Sequence, residues 1–340
     1  MTLQERIEVL VRLGDLLASD DELMHAVMHR TYHNNQWFTI ENQRRSARAI
    51  ARQFLQRDKL ESWLAQYGNP DVDQPRRIGL VLAGNIPLVG FHDLLSVFAC
   101  GHRAQIKPSD KDRFMIPFLL KKLQQYDART VNYFEVVERL RDFDAVIATG
   151  SNNSARYFRQ YFGKYPHIIR RNRNAVAVLG GAESNEELRL LGEDVFRYFG
   201  LGCRNVSKLY VPQGYDFEPL LETLYEYREI ILNNKYKNNF DYHYAIATVN
   251  RADYKSNGCL ILTENTAISS HIAGLYYETY SSTDWVEQEL RHRAEDIQLV
   301  VARDQLLSLK TVPFGQAQQP DLMDYADGVD TMAFLLALDR

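Results

Sequence analysis

From residue 78 onward the chain alternates short apolar runs with helix-period segments, and that alternation leaves few folds open. Residues 78–83, IGLVLA, have the length and uniform apolarity of a strand buried on both faces. They are followed by Gly-Asn-Ile-Pro at 84–87 and a helical pattern over 91–100. A second strand, 104–107, ends in Lys107-Pro108-Ser109-Asp110 and leads into a helix reaching residue 125. Residues 144–149 form a third, closed by Gly150-Ser151-Asn152 and followed by a helix over 154–162. Ile168 and Ile169 mark a short strand, and 175–179 another, closed by Gly180-Gly181. This order predicts a parallel sheet with helices on both faces, and ligands bind such sheets at the carboxyl ends of the strands. Three of those ends, GNIP, KPSD and TGSNNS, carry the polar or glycine-rich sequence of a crevice.

Composition narrows the class. The 340 residues suffice for two domains or one large α/β unit. Hydrophobic content of 45% and charged content of 25% are those of a globular protein. A net charge of −4 gives no global case for nucleic acid or an anionic membrane as partner. Cys100, Cys203 and Cys259 form no CxxC pair and no metal-ligand spacing, which fits unpaired thiols in a reducing compartment. The start, MTLQERIEVL, is charged and unlike a secretory signal, and no apolar run is long enough to span a bilayer; the expectation is a cytoplasmic protein. Before residue 78 the pattern is helical: Leu3, Ile7, Leu10, Leu13 and Leu17 share one face. His29 and His33 are one turn apart but lack a third ligand, and read as surface histidines.

Residues 198–212, YFGLGCRNVSKLYVP, place Cys203 between a helical pattern (186–199) and a strand-like run (208–211). Gly200 and Gly202 suit a tight loop, and Arg204 beside the thiol would favour the nucleophilic thiolate. In isolation such a cysteine reads as structural, its glycines serving a helix cap. The strand ends are two-sided, and Lys107 by itself reads as solvated. Gly150 and Ser151 open a helix where a phosphate could dock, or Ser151 is an ordinary N-cap. Lys107 could hold a phosphate or ribose, or be solvated; Asn85 could donate to an oxyanion, or serve a turn. No GxGxxG follows any strand. Further on, the pattern gives a helix over 217–232, a polar and aromatic surface loop over 233–244, strands at 259–262, 275–280 and 297–302, a helix over 283–292, a break at 313–316 and a helix over 331–338.

The ordered set GNIP, KPSD, TGSNNS, VLGG, GLGCRNVS and PFGQ resembles the aldehyde dehydrogenase superfamily. LAGNIPLVGFHDLLSVFACGH, ATGSNNSARYF and FGLGCRNVSKLYVP are more closely similar to the fatty acyl-CoA reductases (LuxC-like) that supply aldehyde to bacterial luciferase. The resemblance runs from about residue 78 to the C-terminus. It implies an aldehyde-dehydrogenase-like α/β fold: helices and a Rossmann-like cofactor domain over 1–178, a catalytic domain over 179–312, and a tail, 313–340, returning to the first domain. It implies Cys203 as acyl-accepting nucleophile, with Asn85 and the Cys203 backbone N–H as oxyanion hole. It puts Lys107, Ser109 and Asp110 at the adenosine ribose, Gly150 and Ser151 at the pyrophosphate, and Gly180, Gly181 and Phe314 towards the nicotinamide. Hydrolytic relatives carry a glutamate before Leu-Gly-Gly, where this chain has Val178, so a thiol acceptor such as coenzyme A is expected rather than water. The activity so implied is NAD(P)H-dependent reduction of an acyl-CoA, or of an acyl-carrier thioester, to an aldehyde. Asp110 by itself favours NADH; the resemblance implies NADPH, and the expectation is NADPH with NADH tolerated. An acyl-transferring partner protein and a homo-oligomer are further expectations. Two alternatives stay open: another superfamily member acting on an acyl phosphate or free aldehyde, and a non-catalytic dinucleotide-binding protein.

Overall fold

The computed structural model describes residues 1–68 and 70–338. Its backbone forms two units, one of Met1–Asn172 with the chain from Pro320 onward, the other of Arg173–Gln319.

The first unit opens with four helices: α1 (Leu3–Ala18), α2 (Glu22–Asn34), α3 (Ile40–Gln53) and α4 (Arg57–Ala65). A capping box between Thr2 and Glu5 starts α1, whose Ile7, Leu10, Leu13 and Leu17 are buried as their spacing predicts. Then follow β1 (Arg77–Val81), α5 (Phe91–Cys100), β2 (Arg103–Lys107), α6 (Met115–Tyr126), β3 (Phe134–Val136), β4 (Ala145–Thr149), α7 (Asn152–Phe162) and β5 (His167–Arg170). All pair in parallel, in the order β3-β2-β1-β4-β5. Central β1 has Ile78 opposite both Ala104 and Ala145, which explains its unbroken apolarity. Three-residue β3, with Glu135 and Val136 exposed, left no apolar run to read.

The second unit contains β6 (Asn174–Val178), α8 (Asn185–Phe196), β7 (Val206–Pro212), α9 (Glu218–Leu224), α10 (Asn234–Val249), β8 (Lys255–Ser256), β9 (Ile261–Glu264), β10 (Gly274–Tyr280), α11 (Thr283–His292) and β11 (Ile297–Ala302). The order is β11-β6-β7-β10-β9-β8, with only β8 antiparallel among the described strands. Apolar clusters cover both faces. The division falls at 172/173 rather than 178/179, because β6 pairs with β7 and β11. Residues 233–244 belong largely to a helix, not a surface loop. The Asn233 side chain accepts the N–H groups of Lys235 and Tyr236, and only Tyr236 and Phe240 of α10 are buried, so the helical period is faint.

The tail divides too. Residues 313–319 stay in the second unit, and the chain from Pro320 rejoins the first, where α12 (Thr331–Ala337) buries Met332 and Leu335. Buried polar contacts hold it there. Arg170 Nη1 lies 2.6 Å from Asp93 Oδ2, Arg170 Nη2 donates to Thr331 Oγ1 (3.0 Å), and Trp63 Nε1 donates to Tyr325 Oη (2.8 Å).

Candidate active site

In the second unit the chain leaves α8 through Arg197 and turns sharply. Tyr198, Phe199 and Gly200 all have positive φ, 54°, 60° and 73°. For two aromatic residues that conformation is strained; both rings are buried, so packing holds them in it. Cys203 follows on a four-residue turn closed by Asn205 N–H donating to Gly202 O (3.1 Å), and β7 starts at Val206. Asn205 is 1% exposed. Its Oδ1 accepts Gly202 N–H (2.8 Å), and its Nδ2 donates to the carbonyls of Asp194 (2.9 Å) and Arg197 (2.8 Å). Two carbonyls at the end of α8, those of Asp194 and Arg197, thereby gain a donor, and the turn is fixed to the helix.

Cys203 is half-buried, whereas Cys100 and Cys259 are buried. Burial pushes the Cys100 thiol up to about 12 and the Cys259 thiol up to about 11, which suppresses their thiolates. Arg204 Nε donates to Ala317 O (2.6 Å), so this guanidinium also tethers the 313–317 segment. Asp194 receives the N–H groups of Gly315 (2.7 Å) and Ala317 (3.0 Å). Phe314, expected at the nicotinamide end of a cofactor, is instead buried in the second unit's core beside Ala317.

Gly180 and Gly181 require a second correction. β6 and β7 run parallel with Ala175 opposite Val206 and Val178 opposite Tyr210. The Cys203 turn precedes the amino end of β7, and the two glycines follow the carboxyl end of β6. The seven residues of β7, at about 3.3 Å each, separate the two levels by roughly 20 Å. A nicotinamide at Gly180-Gly181 would lie out of hydride reach of an acyl group on Cys203. Their N–H groups are taken up by Glu183, at 2.5 and 3.2 Å. Val178 is buried at that far level, so the lack of a glutamate there carries no information about deacylation at Cys203. A cavity of about 590 Å³, lined by Tyr215, Phe217, Tyr277 and Glu264 among others, also adjoins this carboxyl edge.

In the first unit the three polar strand ends lie along the carboxyl edge of β2, β1 and β4, in neighbouring positions. Leu82 N–H donates to Lys107 O (3.1 Å), and Gly84 packs so tightly on Ser109 that an added Cβ would stand 2.3 Å from its Oγ. Leu88 has φ 58°, and its N–H is held by Asp112 Oδ2 (2.9 Å). Asp112 is buried, and burial pushes it up to about 6. The loop carrying half-buried Asn85 is therefore clamped by the 107–114 segment. The segment is in turn held by Asn34 and Asn35 at the end of α2, through the carbonyls of Asp110 and Lys111. Lys107 is exposed. The Asp110 side chain is 94% exposed and lies 3.0 Å from Arg113 Nη2; α6 begins only at Met115, so Asp110 does not cap it. Ser151 caps α7, accepting Ser154 N–H (3.2 Å), and Gly150 packs against Ser154 and Phe158 where a Cβ would lie 2.8–2.9 Å away. Asp112, Asp194 and Asn205 escaped the sequence reading. Only the chemistry of a short polar residue beside a candidate loop could have pointed to them.

Among the described residues no group of three His, Cys, Asp or Glu side chains could hold a metal ion, and no helix is long and apolar enough to cross a membrane.

The profile of the family described as Acyl-CoA reductase (LuxC) matches residues 1–225. No curated protein sequence matches the chain. Among solved structures, an oxidoreductase from Marinobacter aquaeolei superposes with TM-score 0.68 at 12% identity, covering 94% of this chain and 79% of its own. An NAD-dependent aldehyde dehydrogenase from Sinorhizobium meliloti gives 0.66 at 13%, covering 90% and 71%. A mutant of aldehyde dehydrogenase C from Pseudomonas syringae, complexed with NAD+ and octanal, gives 0.64 at 13%, covering 90% and 73%. The fold is that of the aldehyde dehydrogenases.

Proposed function

The chain belongs to the acyl-CoA reductase (LuxC) family, and from that membership we propose that it reduces an acyl thioester to an aldehyde through a thioacyl intermediate on Cys203. The observation that carries the proposal is the Cys203 turn: one half-buried thiol on a rigid loop, in a chain whose other two thiols are buried. The Cys203 thiolate attacks the thioester carbonyl, the oxyanion collapses, and coenzyme A or a carrier thiol leaves. The family resemblance assigns the Asn85 amide as a donor to that oxyanion. The thiohemiacetal later gives up its proton and the carbon–sulfur bond breaks, releasing aldehyde and restoring the thiolate.

The carboxyl edge of the first sheet fits a dinucleotide. Gly150 and Ser151 lead into the amino end of α7, and exposed Lys107 stands beside Ser109 and Asp110. Lys107, Ser109 and Asp110 would hold the ribose, and Gly150 and Ser151 the pyrophosphate at the start of α7. A reduced nicotinamide cofactor held by these residues would supply the hydride that the reduction consumes. Arg113 beside Asp110 offsets the carboxylate that would repel a 2′-phosphate, so NADPH is the preferred cofactor and NADH is tolerated.

Incubation with radiolabelled acyl-CoA tests the nucleophile: label should stay on the wild type, on Cys100→Ala and on Cys259→Ala, and vanish from Cys203→Ala. Label retained by Cys203→Ala overturns the assignment. Cofactor consumption over a panel of acyl-CoA lengths, with NADPH and NADH, tests substrate and cofactor. A strong preference for NADH, or efficient acid formation from aldehyde without coenzyme A, contradicts the reading.

A further inference from the structure

We propose that Asp194 and Asn205 are positioning residues that couple the 313–317 segment to the Cys203 turn, so that acyl transfer at the thiol depends on how that segment is held. The inference rests on Cys203 being the nucleophile. Hydrogen bonds trace the coupling in both directions. Gly315 and Ala317 donate to the Asp194 carboxylate, the Asp194 carbonyl accepts from Asn205 Nδ2, and Asn205 Oδ1 accepts from Gly202, the residue before Cys203. From the other side Arg204, the residue after Cys203, donates to Ala317 O. Both chain neighbours of the nucleophile are thus tied to one segment, one through a buried network and one directly.

The segment has a built shape. Gly315 has φ 78°, and a Cβ there would stand 2.9 Å from Leu190 Cδ2, so the backbone is pressed against α8. Asp194 is 0% exposed, and its carboxylate is held by backbone donors. Facing it are the two N–H groups of Gly315 and Ala317, which favour its charge, the Arg197 guanidinium, which also does, and the Glu193 carboxylate, which opposes it. Burial outweighs the favourable groups and pushes Asp194 up to about 7. Ionised, the carboxylate accepts from both N–H groups. Protonated, one oxygen carries a hydrogen and the grip on the segment weakens.

The test is single-turnover acylation of Cys203 by acyl-CoA, read on the Cys203 peptide by mass spectrometry, in full-length wild type, Asp194→Asn and Arg204→Gln. Iodoacetamide alkylation of the same peptide runs in parallel. At about pH 8.5, Asp194→Asn should acylate about tenfold more slowly than wild type; at about pH 5.5, where wild-type Asp194 is protonated, the two should converge. Alkylation should not slow, because the thiol is present but mispositioned. Arg204→Gln, which leaves the buried carboxylate in place, should slow acylation by a similar factor at both pH values. Equal acylation rates in wild type and both variants overturn the coupling, as does a deficit in Asp194→Asn that persists unchanged at low pH. Radiolabel retained by Cys203→Ala would instead remove the nucleophile assignment, an outcome separable from either.

Discussion

Asn205 replaces with one amide what the end of α8 would otherwise take from water. Asn205→Ala leaves the Gly202 N–H and the carbonyls of Asp194 and Arg197 without these partners in a closed space. The expected loss is about 1–3 kcal/mol, readable as a lower urea midpoint, with acyl transfer falling alongside it. Asn85 is a different case, since it is half-buried and its proposed role lies in the reaction. Asn85→Ala should lower kcat by about 10²–10³ with an unchanged circular dichroism spectrum. Wild-type turnover would leave Asn85 as a turn residue only.

At the scale of elements, the loop after β1 depends on how closely it can lie against the 107–114 segment. Gly84 permits that approach, because a Cβ would lie 2.3 Å from Ser109 Oγ and 2.6 Å from Ser109 Cβ. Gly84→Ala should displace the loop that carries Asn85 and reduce kcat by about tenfold or more. Ser109→Gly added to it removes the clashing side chain and should recover most of the urea midpoint that Gly84→Ala loses. A double variant as destabilised as the single one would show that the contact with Ser109 is not what was disturbed. The Cys203 turn uses the opposite device. Tyr198 and Phe199 stay in a left-handed conformation because their buried rings allow no relaxation, which makes the turn stiff.

For the whole molecule, two buried carboxyl groups impose a pH dependence of definite sign. Asp112 and Asp194 are raised to about 6 and about 7, from an ordinary value of 3.8. The folded protein therefore holds protons that the unfolded chain releases. Their stabilising contribution is complete below the unfolded value and is lost as pH rises through about 6 and about 7. Urea midpoints should fall between about pH 5 and about pH 8, and Asp112→Asn should flatten part of that fall. An identical slope in Asp112→Asn would contradict the account. The returning tail gives a further test. Arg170→Ala leaves Asp93 buried without its cation and removes the contact to Thr331, so a loss of about 3–5 kcal/mol is expected in equilibrium unfolding of the full chain.

The alternation of strands and helices, the parallel sheet of the first unit, the loop position of Cys203 and the polar carboxyl edge of that sheet were all legible in the sequence. Each rests on a short-range regularity: apolar runs, a 3.6-residue period, or glycine and proline at turns. VLGG was legible too, but not its distance from Cys203, because that is set by the register of β6 against β7, a pairing between segments about thirty residues apart. Phe314 sat in a recognisable phrase, yet its burial depends on which unit residues 313–319 pack into. α10 was hidden because just two of its side chains are buried. Asp112, Asp194 and Asn205 became visible only once folded, since a carboxylate or amide acquires its role from the backbone groups that tertiary packing brings to it, and no local pattern announces which ones those will be.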